Sequence, residues 1–329
     1  MKGKYVKYVL SLAIAAVTLA IIVGVQGVWA QAWPNKPIKI IVPFPPGNTV
    51  DTQSRLIGPK LTERWGQPVI VENRLGASGM LGMGVVAKSE PDGYTLAAGQ
   101  GGNLCVLPHT SKNVPYDALK DFAAIALTTT NYLVIYANTG APFKTLPEMI
   151  AYAKANPGKM TVATNGEGGF PHLAFEHLRL LAGFTYNHIP YKGSAQIGTD
   201  VMGGQVQMAI DGVAGALPAI RSGKVNLLAV TSKKRAAFWP DKPAVAEFVP
   251  GYDSGGWFGF VAPAGIPREI ANRLNTEINR AMNSPEVVEK MVNGGMVVAN
   301  ESVQYFDDLI KHDYAKYGKL VRDIGFKPQ

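Results

Sequence analysis

The residues best suited to chemistry lie in short loops of small residues. The first is Pro43-Phe44-Pro45-Pro46-Gly47-Asn48-Thr49-Val50-Asp51, and the second is Glu72-Asn73-Arg74-Leu75-Gly76-Ala77-Ser78-Gly79-Met80-Leu81-Gly82. Each follows an apolar strand-like run and leads into a helix-like segment. Such a loop brings unpaired backbone N–H groups to the positive end of a helix dipole, which suits a small anion such as a carboxylate. A third loop, Gln100-Gly101-Gly102-Asn103, follows the next strand-like run. Further on, Thr164, Asn165 and Gly166 offer a hydroxyl, an amide and a backbone donor at the same post-strand position. Asp211 ends another apolar run; there it either accepts from a ligand hydroxyl or amine or caps a helix. Tyr191 ends a strand and offers an aromatic wall with a hydroxyl. These groups suit binding better than bond-breaking.

Several chemistries find no support. Gly76-Ala77-Ser78-Gly79 does not fit Gly-x-Gly-x-x-Gly, and there is no phosphate loop ending in Gly-Lys-Ser/Thr, so no nucleotide cofactor is expected. The five histidines have no cysteine or acidic partner at ligand spacing, and His172 and His177 are five apart, so no metal is expected. There is no Gly-x-Ser-x-Gly elbow, and the one cysteine, Cys105, lies in a Gly/Asn loop. Cys105 reads as a small buried apolar residue, and an exported chain with one cysteine has no internal disulfide. Asp51 reads more readily as a helix cap than as a ligand group. Arg74 pairs with a ligand carboxylate or with Glu72. His172 reads as a capping or packing histidine.

The elements that must position these groups alternate between strand and helix. Ile38–Val42 is a continuous apolar run, as in a strand buried on both faces of a parallel sheet. A helix after Asp51 carries Leu56, Ile57, Leu61 and Trp65 and stops at Gly66, with Pro59 expected to kink it. Strands follow at Val69–Val71 and Tyr94–Ala98, separated by a short helix from Gly79 to Lys88. Thr145-Leu146-Pro147-Glu148 reads as a capping box. A second strand–helix series runs from Met160 to Thr231, an apolar strand returns at Trp257–Val261, and three helices close the chain. The second series therefore lies inside the first. Two crossovers, near Tyr132–Tyr136 and Tyr252–Gly256, join the lobes into a hinge with the ligand between them.

With 329 residues, 47% hydrophobic and 17% charged, the chain is long enough for about two globular domains. Its first thirty residues read as a secretory signal peptide. Lys2, Lys4 and Lys7 precede an apolar run from Val9 to Val25, and Val28-Trp29-Ala30 offers a cleavage site before Gln31. The alternative is an uncleaved anchor. The formal charge of +8 includes those three lysines, leaving +5 on the mature chain. That balance can steer an acidic ligand, and without a dense basic cluster it gives no support for nucleic acid.

Taken in order, these segments resemble one family, the solute-binding proteins of tripartite tricarboxylate transporters (the Bug, or TctC-like, family). The markers begin with Trp33-Pro34-Asn35-Lys36-Pro37-Ile38, Val42-Pro43-Phe44-Pro45-Pro46-Gly47, Gly66-Gln67-Pro68-Val69 and Glu72-Asn73-Arg74-x-Gly76-Ala77-x-Gly79. They continue with Pro91-Asp92-Gly93-Tyr94-Thr95-Leu96, Pro190-Tyr191-Lys192-Gly193, Gly203-Gly204-Gln205-Val206 and Phe258-Gly259-Phe260-Val261-Ala262-Pro263. The resemblance implies a two-lobed, type II periplasmic-binding-protein-like α/β fold. Lobe 1 would comprise residues 31–133 and 257–329, and the inserted lobe 2 residues 134–256. It also implies that the loops Phe44–Asp51 and Gly76–Gly79 hold a ligand carboxylate, with the inserted lobe adding Thr164–His172 and Asp211. The ligand-binding set so expected is Phe44, Pro46, Gly47, Asn48, Asp51, Gly76, Ala77, Ser78, Gly79, Asn103, Thr164, Asn165, Gly166, Phe170, Tyr191 and Asp211.

The family usually has Gly-Gly where this chain has Gly47-Asn48, and a Thr or Ser where it has Gly169-Phe170. An acid with apolar or aromatic bulk is therefore favoured. The expected role is a monomeric, non-enzymatic periplasmic binder that delivers a small mono- or dicarboxylate to membrane permease subunits. The alternatives are a sensor acting on a membrane kinase and a periplasmic hydrolase or isomerase.

Overall fold

The computed structural model describes residues 33–328, so the leader expected at residues 1–30 lies outside the described residues. The first sheet-forming series is β1 (Ile38–Val42), α1 (Thr49–Trp65), β2 (Val69–Asn73), α2 (Met80–Ala87) and β3 (Thr95–Gln100). A π-helical turn at Gly102–Val106 and the short α3 (Leu107–Thr110) lead on to β4 (Phe122–Asn131). The second series is β5 (Leu133–Asn138), α4 (Leu146–Ala155), β6 (Thr161–Thr164), α5 (Phe170–Ala182), β7 (Asn187–Pro190) and α6 (Ser194–Met202), then β8 (Met208–Gly212), α7 (Val213–Arg221) and β9 (Val225–Val230). The chain ends with β10 (Gly256–Pro263), α8 (Arg268–Met282), α9 (Pro285–Asn293), β11 (Val297–Val298) and α10 (Val303–Asp323). Among the described residues no helix is long and apolar enough to cross a membrane.

The strands form two mixed sheets. One has the order β11-β4-β10-β3-β1-β2 and the other β7-β6-β8-β5-β9. In the first, β1 is parallel to β2 and β3, while β10 runs antiparallel to β3 and β4. In the second, β6 is parallel to β7 and β8, while β5 runs antiparallel to β8 and β9. Only Tyr132 separates β4 in one sheet from β5 in the other, and the return runs from the end of β9 to Gly256. The two-lobed α/β architecture follows from these two passages.

Each sheet is covered on both faces, as its apolar strands require. Ile38, Ile40 and Val42 pack with Ile57 and Leu61 of α1 and Leu274, Ile278 and Met282 of α8. Ile41, of opposite parity, packs with Met83 and Val86 of α2 and Phe306, Tyr317 and Leu320 of α10. In β5, Leu133 and Ile135 face Phe175 and Leu178 of α5, while Val134 and Tyr136 face Ile197 and Val201 of α6. Each such fully buried side chain contributes roughly 1.5–3 kcal/mol. Cys105 is fully buried in the first lobe, with its thiol against the Ile310 carbonyl.

Local details depart from the sequence reading for physical reasons. Asn48 rather than Asp51 caps α1, its Oδ1 accepting from the Val50 N–H at 3.1 Å. Asp51 instead sits in the first helical turn. β3 extends to Gln100 because antiparallel pairing with β10 (Gln100 opposite Phe258) carries it past Ala98. Consequently Gly102 and Asn103 open a π-helical turn rather than a free loop. Thr145 caps α4 by accepting from the Glu148 N–H, but the reciprocal half of the capping box is displaced: the Glu148 carboxylate accepts from the Lys144 N–H, one residue before the cap.

Candidate functional site

A cavity of about 360 Å³ lies where the two sheets meet. Its first-lobe wall comes from Asn48 and Thr49 at the start of α1, Gln100 to Gly102 after β3, and the start of β10 at Gly255–Phe258. Gly294–Met296 from the α9–β11 connection and Asp313 and Tyr317 of α10 complete that side. The second lobe adds Asn165, Phe170 and Pro171 between β6 and α5, Ser194 at the start of α6, and Asp211 to Ala214 where β8 becomes α7. Asn131, Tyr132 and Leu133 form the passage between the sheets.

The helices give this cavity its polarity. The N-terminal ends of α1, α5, α6 and α7 all supply lining residues, so four positive dipole ends border it. Among the described residues no lysine or arginine lines it, and the acidic side chains that do are Asp211 and Asp313. An anion here must be held by backbone and amide donors rather than by a cation.

The α1 end is held rigidly. The Asp51 carboxylate accepts from the Gly47 N–H at 2.8 Å, from Asn73 Nδ2 at 2.8 Å and from Arg55 Nε at 3.0 Å. Burial alone would raise its pKa, but these hydrogen bonds outweigh that and hold it below its ordinary value. Asp51 therefore braces the first loop against β2, with its oxygens already in use. Deeper in the same helix, Gln53 bridges Thr129 and Thr128 of β4 at 2.7 and 2.8 Å, tying α1 to the strand that leads into the second lobe.

On the second lobe, Asp211 is 1% exposed. Its Oδ1 accepts from Asn165 Nδ2 and from the Gly212 N–H, each at 2.7 Å. Burial raises its pKa; the nearby Ser194 hydroxyl, Gly212 N–H and Asn165 amide pull it part of the way back. The β6–α5 loop is fixed from beneath by two stacked histidine rings. His172 and His188 lie 4.0 Å apart at 4°. His172 Nδ1 accepts from the Gly168 N–H at 3.0 Å, and His188 Nε2 lies 2.7 Å from Thr164 Oγ1. Burial, and then the neighbouring His172, push the His188 pKa down to about 4, so both rings are kept neutral at ordinary pH.

Of the expected binding residues, the cavity lining brings together Asn48, Asn165, Phe170 and Asp211. Thr164 and Gly166 support this loop from outside the lining: Thr164 Oγ1 donates to the Gly166 carbonyl at 3.2 Å. Tyr191 donates to Asp200 at 2.7 Å. Asn103 is buried with its Oδ1 on the Gln100 N–H, next to the lining rather than in it. Phe44 accepts from Asn73 Nδ2 through its carbonyl, while Pro46 and Gly47 are exposed.

Gly76, Ala77, Ser78 and Gly79 form a tight turn with φ of +134°, +47°, +55° and +95°. The turn follows edge strand β2 and packs beside loop 1: a Cβ on Gly79 would lie 3.3 Å from the Phe44 ring. Arg74 pairs with Glu72. The Gly294–Met296 connection, Trp257, Asp313 and Tyr317 carried no binding signal in the sequence beyond a Gly-Gly pair and an apolar strand.

The lobes touch across the cavity. Phe170 meets Tyr317 edge to face at 6.0 Å, and a Cβ on Gly295 would stand 2.8 Å from Val213 Cβ. Two α/β lobes in contact around a small cavity lined by helix N-termini define the class of solute-binding proteins. The family model for the tripartite tricarboxylate transporter family receptor, TctC, matches residues 54–326, and the chain belongs to that family.

Among curated relatives, protein BugT of Bordetella pertussis is 35% identical over 300 residues, 91% of this chain and 92% of that one. Among solved structures, R. palustris Rpa4515 with adipate is 30% identical with a TM-score of 0.77, covering 90% of this chain and 100% of that one. MatC (Rpa3494) from Rhodopseudomonas palustris with bound malate is 29% identical with a TM-score of 0.72, covering 88% and 100%.

Proposed function

We propose that the chain acts in the periplasm, after removal of its first thirty residues, and captures a small mono- or dicarboxylic acid between its lobes. Lobe 1 (residues 31–133 and 257–329) and lobe 2 (134–256) would close about the passages at Tyr132 and before Gly256. The closed protein would hand the acid to the membrane subunits of a tripartite tricarboxylate-type permease. The observation that carries this reading is that four helix N-termini border a cavity lined, among the described residues, by no basic side chain. Backbone donors at helix ends hold a carboxylate without the desolvation cost of a buried lysine or arginine. Asn48, Asn165, Phe170 and Asp211 are the side chains assigned to ligand contact. The cavity volume, about 360 Å³, suits a ligand of modest size, and Phe170, Trp257 and Tyr317 supply apolar walls. The relatives solved with adipate and malate support an acid as the ligand.

Uptake by proteoliposomes carrying the permease tests the whole reading. Accumulation of a labelled acid should require this protein. Equal uptake without it, with tight binding of the acid in solution, would remove the transport role and leave the binding one.

A further inference from the structure

The cavity contains acceptors as well as donors, and the acceptors are in surplus. Asn165 Oδ1 is buried with no hydrogen-bond partner among the described residues, and Asp211 Oδ2 has only the Ser194 hydroxyl beside it. The orientation of the Asn165 amide is fixed by its neighbours: its Nδ2 donates to Asp211 Oδ1 at 2.7 Å and to Ser194 Oγ at 3.1 Å, which leaves the oxygen as the free end. The other acidic lining residue is already balanced, since Asp313 accepts from the Trp257 indole at 2.9 Å and pairs with Lys316 at 2.7 Å. Asp211 has no such partner: among the described residues no lysine, arginine or histidine forms an ion pair with it. The Ser194 hydroxyl beside Asp211 supplies a hydrogen but no charge, so the buried negative charge and the idle Asn165 amide oxygen stay costly until a donor or a positive charge arrives.

We infer that the ligand is an amino acid or similar zwitterion, whose carboxylate meets the helix N-termini and whose ammonium group is read by Asp211 and Asn165. This rests on the acid-binding reading above and narrows it. A doubly charged acid without an amine would bring its second negative charge into a cavity that already holds an unbalanced carboxylate. An ammonium group cancels that charge and supplies the missing hydrogens.

Matched acids with and without the amine test the inference. Calorimetric titrations of residues 31–329 at pH 7.5 would compare aspartate with succinate and malate, 2-aminoadipate with adipate, and phenylalanine with 3-phenylpropionate. In at least one set the amine should bind at least tenfold more tightly than its amine-free partner. Asp211→Asn, checked for folding by circular dichroism, should remove most of that preference.

Amine-free acids binding as well as or better than their amines would overturn the zwitterion assignment and leave acid capture standing. An amine preference that survives Asp211→Asn would overturn the role given to Asp211. Absence of binding by every acid would overturn the acid-binding reading, and this inference with it.

Discussion

Substituting Gly295 by alanine tests whether the two lobes must meet for ligand to be held. Gly295 has φ +75°, and an added Cβ would stand 2.8 Å from Val213 Cβ and 3.1 Å from Val213 Cγ2, across the boundary between lobes. Two costs follow, and they act on different equilibria. An alanine in the left-handed region costs roughly 1–2 kcal/mol whether the lobes are apart or together. The clash with Val213 costs roughly 1–3 kcal/mol, as overpacking does, and only when the lobes meet. If ligand binding draws the lobes together, the second cost is subtracted from binding and weakens it roughly 5- to 150-fold.

Gly325→Ala separates the two costs. Its φ is +66° with nothing within 4 Å of the added Cβ, so it carries the backbone cost alone and should leave affinity unchanged. Adding Val213→Ala to Gly295→Ala removes both γ-methyls and should restore part of the lost affinity. The assay is calorimetric titration with the tightest acid found, alongside small-angle scattering with and without it. A Gly295→Ala protein that binds and compacts like the wild type would show that ligand is held without the lobes meeting at Gly295 and Val213.

Three further outcomes follow from the site. Asp51→Ala strips acceptors from Gly47, Asn73 and Arg55 and should cost about 2 kcal/mol in urea unfolding; a loss near zero would show that loop 1 does not depend on that carboxylate. His188 is held neutral, with its pKa down from 6.5 to about 4, so the stability tied to the stacked pair is present above pH 6.5 and lost as pH falls through about 4. The melting temperature should therefore drop over that window, less steeply in His188→Gln, and equal slopes would contradict the assignment. Asp211 behaves with the opposite sign. Burial raises its pKa, so its contribution is present below the ordinary value of 3.8 and lost as pH rises through the folded pKa. Ligand-free Asp211→Asn should then be at least as stable as wild type at pH 7.5, and a clear loss of stability would mean that the carboxylate is better paired than its geometry shows.

The strands and helices were legible because their burial is local: the parity of Ile38, Ile40 and Val42 and the spacing of Leu274, Ile278 and Met282 mark faces directly. The inserted arrangement was legible from the order of the apolar runs. Much of the cavity was not, because its walls come from distant parts of the chain. Asn131–Leu133, Gly294–Met296 and Tyr317 meet only after β4, β10 and α10 are placed, and no short-range pattern records that. Strand order also decides which glycine loop reaches the boundary. β2 is the edge strand, and the turn at Gly76–Gly79 packs behind loop 1, outside the lining. Asp211 shows a different limit. Its position at a strand end was readable, but how its oxygens are partnered depends on how Asn165 and Ser194 are turned toward it.

Occupancy of the cavity between the lobes by a small acid is open to direct measurement. Calorimetric titration of residues 31–329 with a panel of carboxylic and amino acids tests it most directly, beside Ala214→Phe, which places a ring in the cavity from the first turn of α7. Saturable one-to-one binding by at least one acid, weakened at least tenfold in Ala214→Phe, is the expected result. Heats indistinguishable from dilution across the panel, or equal affinity in the filled variant, would contradict it.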